Sequence, residues 1–248
     1  MGRCWLGEPR HGDGEDGRDG AQPVDRSALG SAQSPDERLA GFCWPDSSAI
    51  LIGLTLLAAG LFFFSAQRLN PLCWRLSPIA FLLLAIYPRL KRFTWACHFG
   101  LGLVLACAPV AGWLAVTGRW DPIVLPLAVG VLSWVAGFDI LYALLDLDFD
   151  RGHGVYSIPG TFGVETALVL SRLCHALAAV GFGSFGLKAG LGGWFWTGWA
   201  IVVALLIYEH GLARPATFHR INRAFFTVNG WVSISLFVFT VLDLKGAP

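Results

Sequence analysis

The chain has 248 residues, 55% of them hydrophobic and only 14% charged, with 11 Trp and a formal net charge of +1. Its mean hydropathy is +0.59. Such a composition excludes an ordinary soluble domain and points to a protein with several membrane spans; no nucleic-acid partner is expected.

The near-neutral total hides two segments. Residues 1–48 hold 5 Lys+Arg and 9 Asp+Glu, whereas residues 49–248 hold 13 and 8. The run from His11 to Gly20 is rich in Gly and charge and has no apolar period, so residues 1–46 read as a disordered acidic tail. No basic start followed by an apolar core is present there, and a cleavable signal peptide is not expected.

From Ser48 onward apolar runs recur at about Ser48–Ser65, Leu76–Tyr87, Trp95–Val116, Ile123–Leu145, Phe162–Leu187, Gly193–Tyr208 and Ala224–Leu242. The fold class is therefore all-α, a polytopic bundle of about seven transmembrane helices. Leu76–Tyr87 is short for a crossing and is expected to be tilted, broken or interfacial. Turn signals at Asn70-Pro71, Tyr87-Pro88, Gly118–Pro122, Gly152–Gly160, Gly190–Gly193 and Arg214-Pro215 mark the membrane surfaces. Alternate loops around 88–94, 146–161 and 210–223 carry Arg89, Lys91, Arg92, Arg151, Arg214, Arg220 and Arg223, against Arg68, Arg75, Arg119, Lys188 and Lys245 in the opposite loops and at the carboxyl end. That bias puts the three loops on the cytoplasmic side.

The fourth apolar run ends in Asp139, Asp146, Asp148, Asp150 and Arg151, although Ser47 to Trp120 contains no acid. Carboxylates near bilayer depth are costly and mark functional sites. Asp146 and Asp150 are one helical turn apart, and Asp139 lies seven residues earlier on the same stripe. Hard oxygen donors so grouped suit Mg²⁺, which commonly arrives with substrate phosphates. Arg151 offers a forked donor for phosphate oxygens. A solvated loop after a membrane helix is the bland alternative.

The other polar residues carry structural readings. Cys4, Cys43, Cys73, Cys97, Cys107 and Cys174 have no metal spacing and read as small buried hydrophobes. His98 and His175 read as satisfied helix histidines. Glu209, His210, His219 and Arg220 read as a solvated rim, and Asn222 and Asn229 as helix–helix hydrogen-bonding groups.

Several segments together carry a family resemblance. Tyr142-Ala-Leu-Leu-Asp146-Leu-Asp-Phe-Asp150-Arg151, then Ser157-Ile-Pro and Phe162-Gly163, resembles the second aspartate-rich motif of the UbiA superfamily of intramembrane aromatic prenyltransferases. Tyr87-Pro-Arg-Leu-Lys91 resembles its Tyr-x-x-x-Lys loop. Cys107–Gly118 and Tyr208–Pro215 read like its 4-hydroxybenzoate polyprenyltransferase branch, although Tyr156 stands where close relatives carry His. The resemblance implies Mg²⁺-dependent transfer of a polyprenyl chain from a prenyl diphosphate to an aromatic ring such as 4-hydroxybenzoate, for ubiquinone or menaquinone biosynthesis. The protein would then sit among membrane lipid, in a bacterial inner membrane. It implies Asp146 and Asp150 as metal ligands, Lys91 and Arg151 against phosphate oxygens, and Tyr87, Asp139 and Arg92 around the substrates. Arg89 and Arg92 also read as membrane anchors, and Asp139 also as a structural hydrogen-bonding group. The competing readings are an inactive family member and, from a different class, a cation-coupled transporter.

The family pattern has nine spans and a first motif Asn-x-x-x-Asp-x-x-x-Asp, and residues 47–248 hold only the later part. Codons permitted for residues 11–37, read one nucleotide on, can encode that motif followed by Asn-Pro-Arg-Thr. Residues 1–46 are therefore expected to be either a genuine acidic tail or an out-of-frame translation of two helices. Sequencing the gene distinguishes them: the shifted frame should encode two apolar helices ending in the motif, and a shifted frame with no apolar run contradicts the out-of-frame reading.

Overall fold

The computed structural model describes residues 47–152, 154–212 and 218–246, with the side chains of 47–48, 148–149, 151 and 218–226 also outside the description. Residues 1–46, and with them the expected tail, lie outside the described residues. The chain splits into two units, Met1–Gly53 and Leu54–Pro248. The described part of the first unit is only the opening of α1.

The described residues form α1 (Ser47–Leu69), α2 (Pro71–Leu90), α3 (Cys97–Thr117), α4 (Val124–Leu145), α5 (Leu147–Gly152), α6 (Ile158–Phe162), α7 (Val164–Lys188), α8 (Gly193–Leu212) and α9 (Phe218–Gly246). No strand occurs among them. Seven of these helices are long and apolar enough to cross a membrane, as expected.

The second helix corrects one expectation. It runs for 20 residues rather than the dozen of its apolar stretch. Asn70 is extended and its side chain accepts from Cys73 N–H, while Pro71 stands in the first turn, where its missing N–H costs nothing. The helix therefore starts five residues before Leu76 and carries Trp74 and Arg75 in its opening turns. Asn70 Nδ2 also donates to Leu114 O at 2.8 Å, tying this corner to the end of α3.

Within Leu54–Pro248 the tightest pairing is α4 against α7, where small residues let backbones approach. A Cβ on Gly181 would stand 2.8 Å from Gly130 Cα, Gly130 N and Pro126 O. Gly137 leaves room for the ring of His175, and Ser171 Oγ donates to Gly137 O at 2.7 Å. Around this seam Ala136, Ile140, Leu141, Leu144, Ile158, Ala167, Leu168 and Cys174 form a buried core. The seam fixes α4, and α4 carries the acids.

Gly181→Ala is expected to lower the apparent melting temperature of the detergent-solubilised protein, at a cost of about 1–3 kcal/mol of overpacking. Gly112→Ala, with no atom within 4 Å of its Cβ, should be neutral or slightly stabilising. Equal melting of the two variants contradicts the close α4–α7 approach.

Candidate functional site

The α4 helix ends at Leu145, and Asp146 leaves it with φ −96° and ψ 7°. The path stays nearly helical, with Asp150 N–H donating to Asp146 O at 2.8 Å. Asp150 O accepts in turn from Val155 N–H at 3.0 Å. Ser157 caps α6, accepting on Oγ from Gly160 N–H, and Pro159 occupies its first turn. The segment returns toward the 88–94 loop, where Tyr156 N–H donates to Lys91 O at 2.9 Å.

A cavity of about 190 Å³ opens between α2, α3 and α4, lined by Tyr87, Lys91, His98, Asp139, Tyr142 and Asp146 among others. Asp139, Tyr142, Ala143 and Asp146 form one helical stripe on its wall, so the seven-residue spacing of the two acids reads correctly. Tyr87 and Lys91, four apart, enter from the end of α2.

Asp150 is separate from that wall. It has no exposed surface, and Lys91 Nζ stands 3.0 Å from its Oδ1. Among the described residues its Oδ2 has no hydrogen-bonding partner. Asp146, one turn earlier, is exposed. The two carboxylates are thus neighbours along the chain as expected, but they occupy different environments. Arg92 is exposed and does not line the cavity, and the side chains of Asp148 and Arg151 lie outside the described residues.

Among the described residues no group of three His, Cys, Asp or Glu is arranged to enclose a metal. Mg²⁺ does not require such a cage, since it is commonly held by one or two carboxylates, waters and substrate phosphates. An orphaned buried oxygen on Asp150 and an exposed carboxylate on Asp146 fit that mode.

Sequence reasoning missed two arrangements. His98 is buried in α3, with Nδ1 2.6 Å from Asp139 Oδ2 and Nε2 accepting from Ile158 N–H at 3.2 Å. It is satisfied, as expected of a helix histidine, but its partner is an acid on the cavity wall.

The second arrangement corrects the solvated-rim reading of Glu209. Helix α8 continues to Leu212, so Glu209 remains inside the bundle and is fully buried. Asn229 Nδ2 donates to Glu209 Oε1 at 3.0 Å, and Trp134 Nε1 donates to Asn229 Oδ1 at 3.0 Å. His175 Nδ1 lies 3.9 Å from Glu209 Oε2, and the rings of His175 and His210 are 4.9 Å apart. Asn229 bridges helices as expected; Asn222, His219 and Arg220 lie outside the side chains described. The buried acid had one available signal, the Asn229 expectation, because a buried amide needs a polar partner.

Comparison with known proteins bears directly on this arrangement. The family model described as the UbiA prenyltransferase family matches residues 45–231. The chain belongs to the UbiA prenyltransferase family. The 4-hydroxybenzoate octaprenyltransferase of Aromatoleum aromaticum is 36% identical over 197 residues, covering 78% of this chain and 66% of that protein. The protein of the same name from Alkalilimnicola ehrlichii is 31% identical over 199 residues, 80% of this chain and 66% of its own. The chain thus spans about two thirds of the length of the curated relatives it matches. The solved apo structure of a UbiA homologue from Aeropyrum pernix K1 superposes with a TM-score of 0.70 at 30% identity, over 77% of this chain and 71% of that one. Family membership agrees with the seven apolar helices, and the chain is a multi-pass membrane protein.

Proposed function

We propose that the protein transfers a polyprenyl group from a prenyl diphosphate to an aromatic quinone precursor of the 4-hydroxybenzoate type, in a bacterial inner membrane. The observation that carries this reading is the Lys91–Asp150 pair with its orphaned Asp150 oxygen, beside a small cavity walled by Asp139 and Asp146. The relatives named above support the substrate class.

The residues divide the work as follows. Lys91 is half-exposed, so its ammonium keeps donors for phosphate oxygens while one contact is held by Asp150. Asp150 and Asp146 would hold Mg²⁺, which supplies charge neutralisation at the departing diphosphate. Arg151 follows Asp150 directly and is assigned to the same phosphates. Tyr87 and Tyr142 wall the cavity with aromatic surface, limiting water around the allylic carbon as the C–O bond breaks. Arg92, exposed at the loop, is assigned to the approach of the anionic substrate.

An apolar cavity of about 630 Å³ lies between α1, α2, α3 and α4, lined by Phe62, Leu76, Leu103, Val110 and Leu132 among others. Its lining suits hydrocarbon. Residues 1–46 remain assigned, as a proposal, to an out-of-frame counterpart of the first two family helices, which would bring the second set of carboxylates.

The test is transfer of a radiolabelled prenyl diphosphate to 4-hydroxybenzoate in membranes carrying the frame-restored chain. Activity should require Mg²⁺. Asp146→Ala and Asp150→Ala should each cut the rate by more than the roughly 10–100-fold cost of losing a mere supporting partner. Lys91→Ala should mainly raise the KM for the diphosphate and the Mg²⁺ requirement. Full activity in Asp146→Ala, or in excess chelator, overturns the reading and favours a cation-coupled transporter.

A further inference from the structure

We propose that Asp139 is the subsite for the phenolic hydroxyl of the aromatic acceptor, and that His98 is the residue that positions it. The inference rests on the transferase reading for the identity of the ring, and on three features of the cavity for its location.

The first feature is the hydrogen-bond pattern of His98. Ile158 N–H donates to Nε2, so that nitrogen carries a lone pair, and the proton of the neutral ring sits on Nδ1. Nδ1 therefore donates to Asp139 Oδ2, at 2.6 Å. With both nitrogens engaged and almost no exposed surface, the imidazole has no freedom to turn. It fixes the carboxylate plane of Asp139 as a supporting partner fixes a ligand.

The second feature is the remaining oxygen. Among the described residues, His98 is the side chain that hydrogen-bonds Asp139, and it uses Oδ2 alone. Asp139 is part-exposed and lines the cavity, so Oδ1 is left as an acceptor there. A carboxylate oxygen with no donor of its own selects a ligand that brings a hydroxyl.

The third feature is depth. Asp139 lies seven residues inside α4 from Asp146, about 10 Å along the helix axis. Lys91 and Asp146 mark the outer end, where the anionic diphosphate belongs. Asp139 shares the cavity lining with Tyr142, Ala143, Leu101 and Cys97, a setting for an aromatic ring that presents a hydroxyl to the acid. The cavity volume, about 190 Å³, suits a single small ring. His98 also holds Ile158, so one imidazole ties the ring end of the cavity to the segment that carries Asp150.

The experiment measures equilibrium binding of radiolabelled 4-hydroxybenzoate and benzoate to the purified 248-residue protein in detergent. The two probes share the carboxylate and ring and differ in the hydroxyl. The protein should prefer 4-hydroxybenzoate by at least about tenfold, as expected for a hydrogen bond to a charged group. Asp139→Ala, which removes the acceptor outright, and His98→Leu should bring the ratio close to one. His98→Asn, which keeps an amide N–H near the Nδ1 position, should retain part of it. A merely structural loss would weaken both probes alike and leave the ratio intact. No preference in the unmodified protein, or a preference that survives Asp139→Ala, overturns the proposal. Binding of a Mg²⁺–prenyl diphosphate, measured on the frame-restored chain with both sets of carboxylates, judges the transferase reading separately. Diphosphate binding without phenol preference sinks only the inference, and phenol preference without diphosphate binding sinks only the transferase reading.

Discussion

Asp150 has no exposed surface, and a carboxylate in that position is tolerated only beside a cation or fully hydrogen-bonded. Lys91 Nζ, at 3.0 Å, supplies the cation. The two residues come from loops 59 positions apart, so their pairing fixes where the 88–94 and 146–161 segments meet. Tyr156 N–H on Lys91 O and Ile158 N–H on His98 repeat the connection through backbone groups. The rest of the site follows from this junction: Tyr87 is carried in with Lys91, and Asp146 is held one turn before Asp150.

The helices below the junction determine where the remaining acid stands. Close approach of α4 and α7 at Gly130, Gly137 and Gly181 leaves α4 little freedom to rotate. Its stripe of Asp139, Tyr142 and Asp146 therefore stays turned to α2 and α3, while Trp134 on the same helix reaches Asn229 and Glu209. Two polar systems thus share one helix, the cavity acids on one side and a buried Trp–Asn–Glu chain on another. The second system joins α4, α8 and α9 through hydrogen bonds, which hold membrane helices together where apolar contact alone gives no preference over lipid.

Much of this was legible in the sequence because helical spacing and membrane burial leave strong marks. Seven apolar runs gave the helices, and acids seven residues apart gave the cavity stripe. What was not legible depended on contacts between distant residues. Leu76–Tyr87 looked too short because the cap formed by Asn70 and Pro71 is a local device, easily read as a loop. Lys91 and Arg92 are adjacent cations in one loop, and only the fold shows that Lys91 is the one that meets Asp150. Glu209 sits beside a helix end with His210 and looked solvated; its burial depends on Asn229, 20 residues away. His98 gave no signal of its own, since its role is defined by Asp139 on another helix.

The most direct check of this account is a double-mutant cycle on the Lys91–Asp150 pair, read as the unfolding free energy of the full chain in detergent. Lys91→Met should destabilise strongly, because it leaves a buried carboxylate without its cation, and Asp150→Asn should destabilise less. The double variant should recover part of the Lys91→Met loss, giving a coupling of about 0.5–3 kcal/mol. Losses that simply add, with no recovery in the double variant, would contradict the claim that this pair holds the site together.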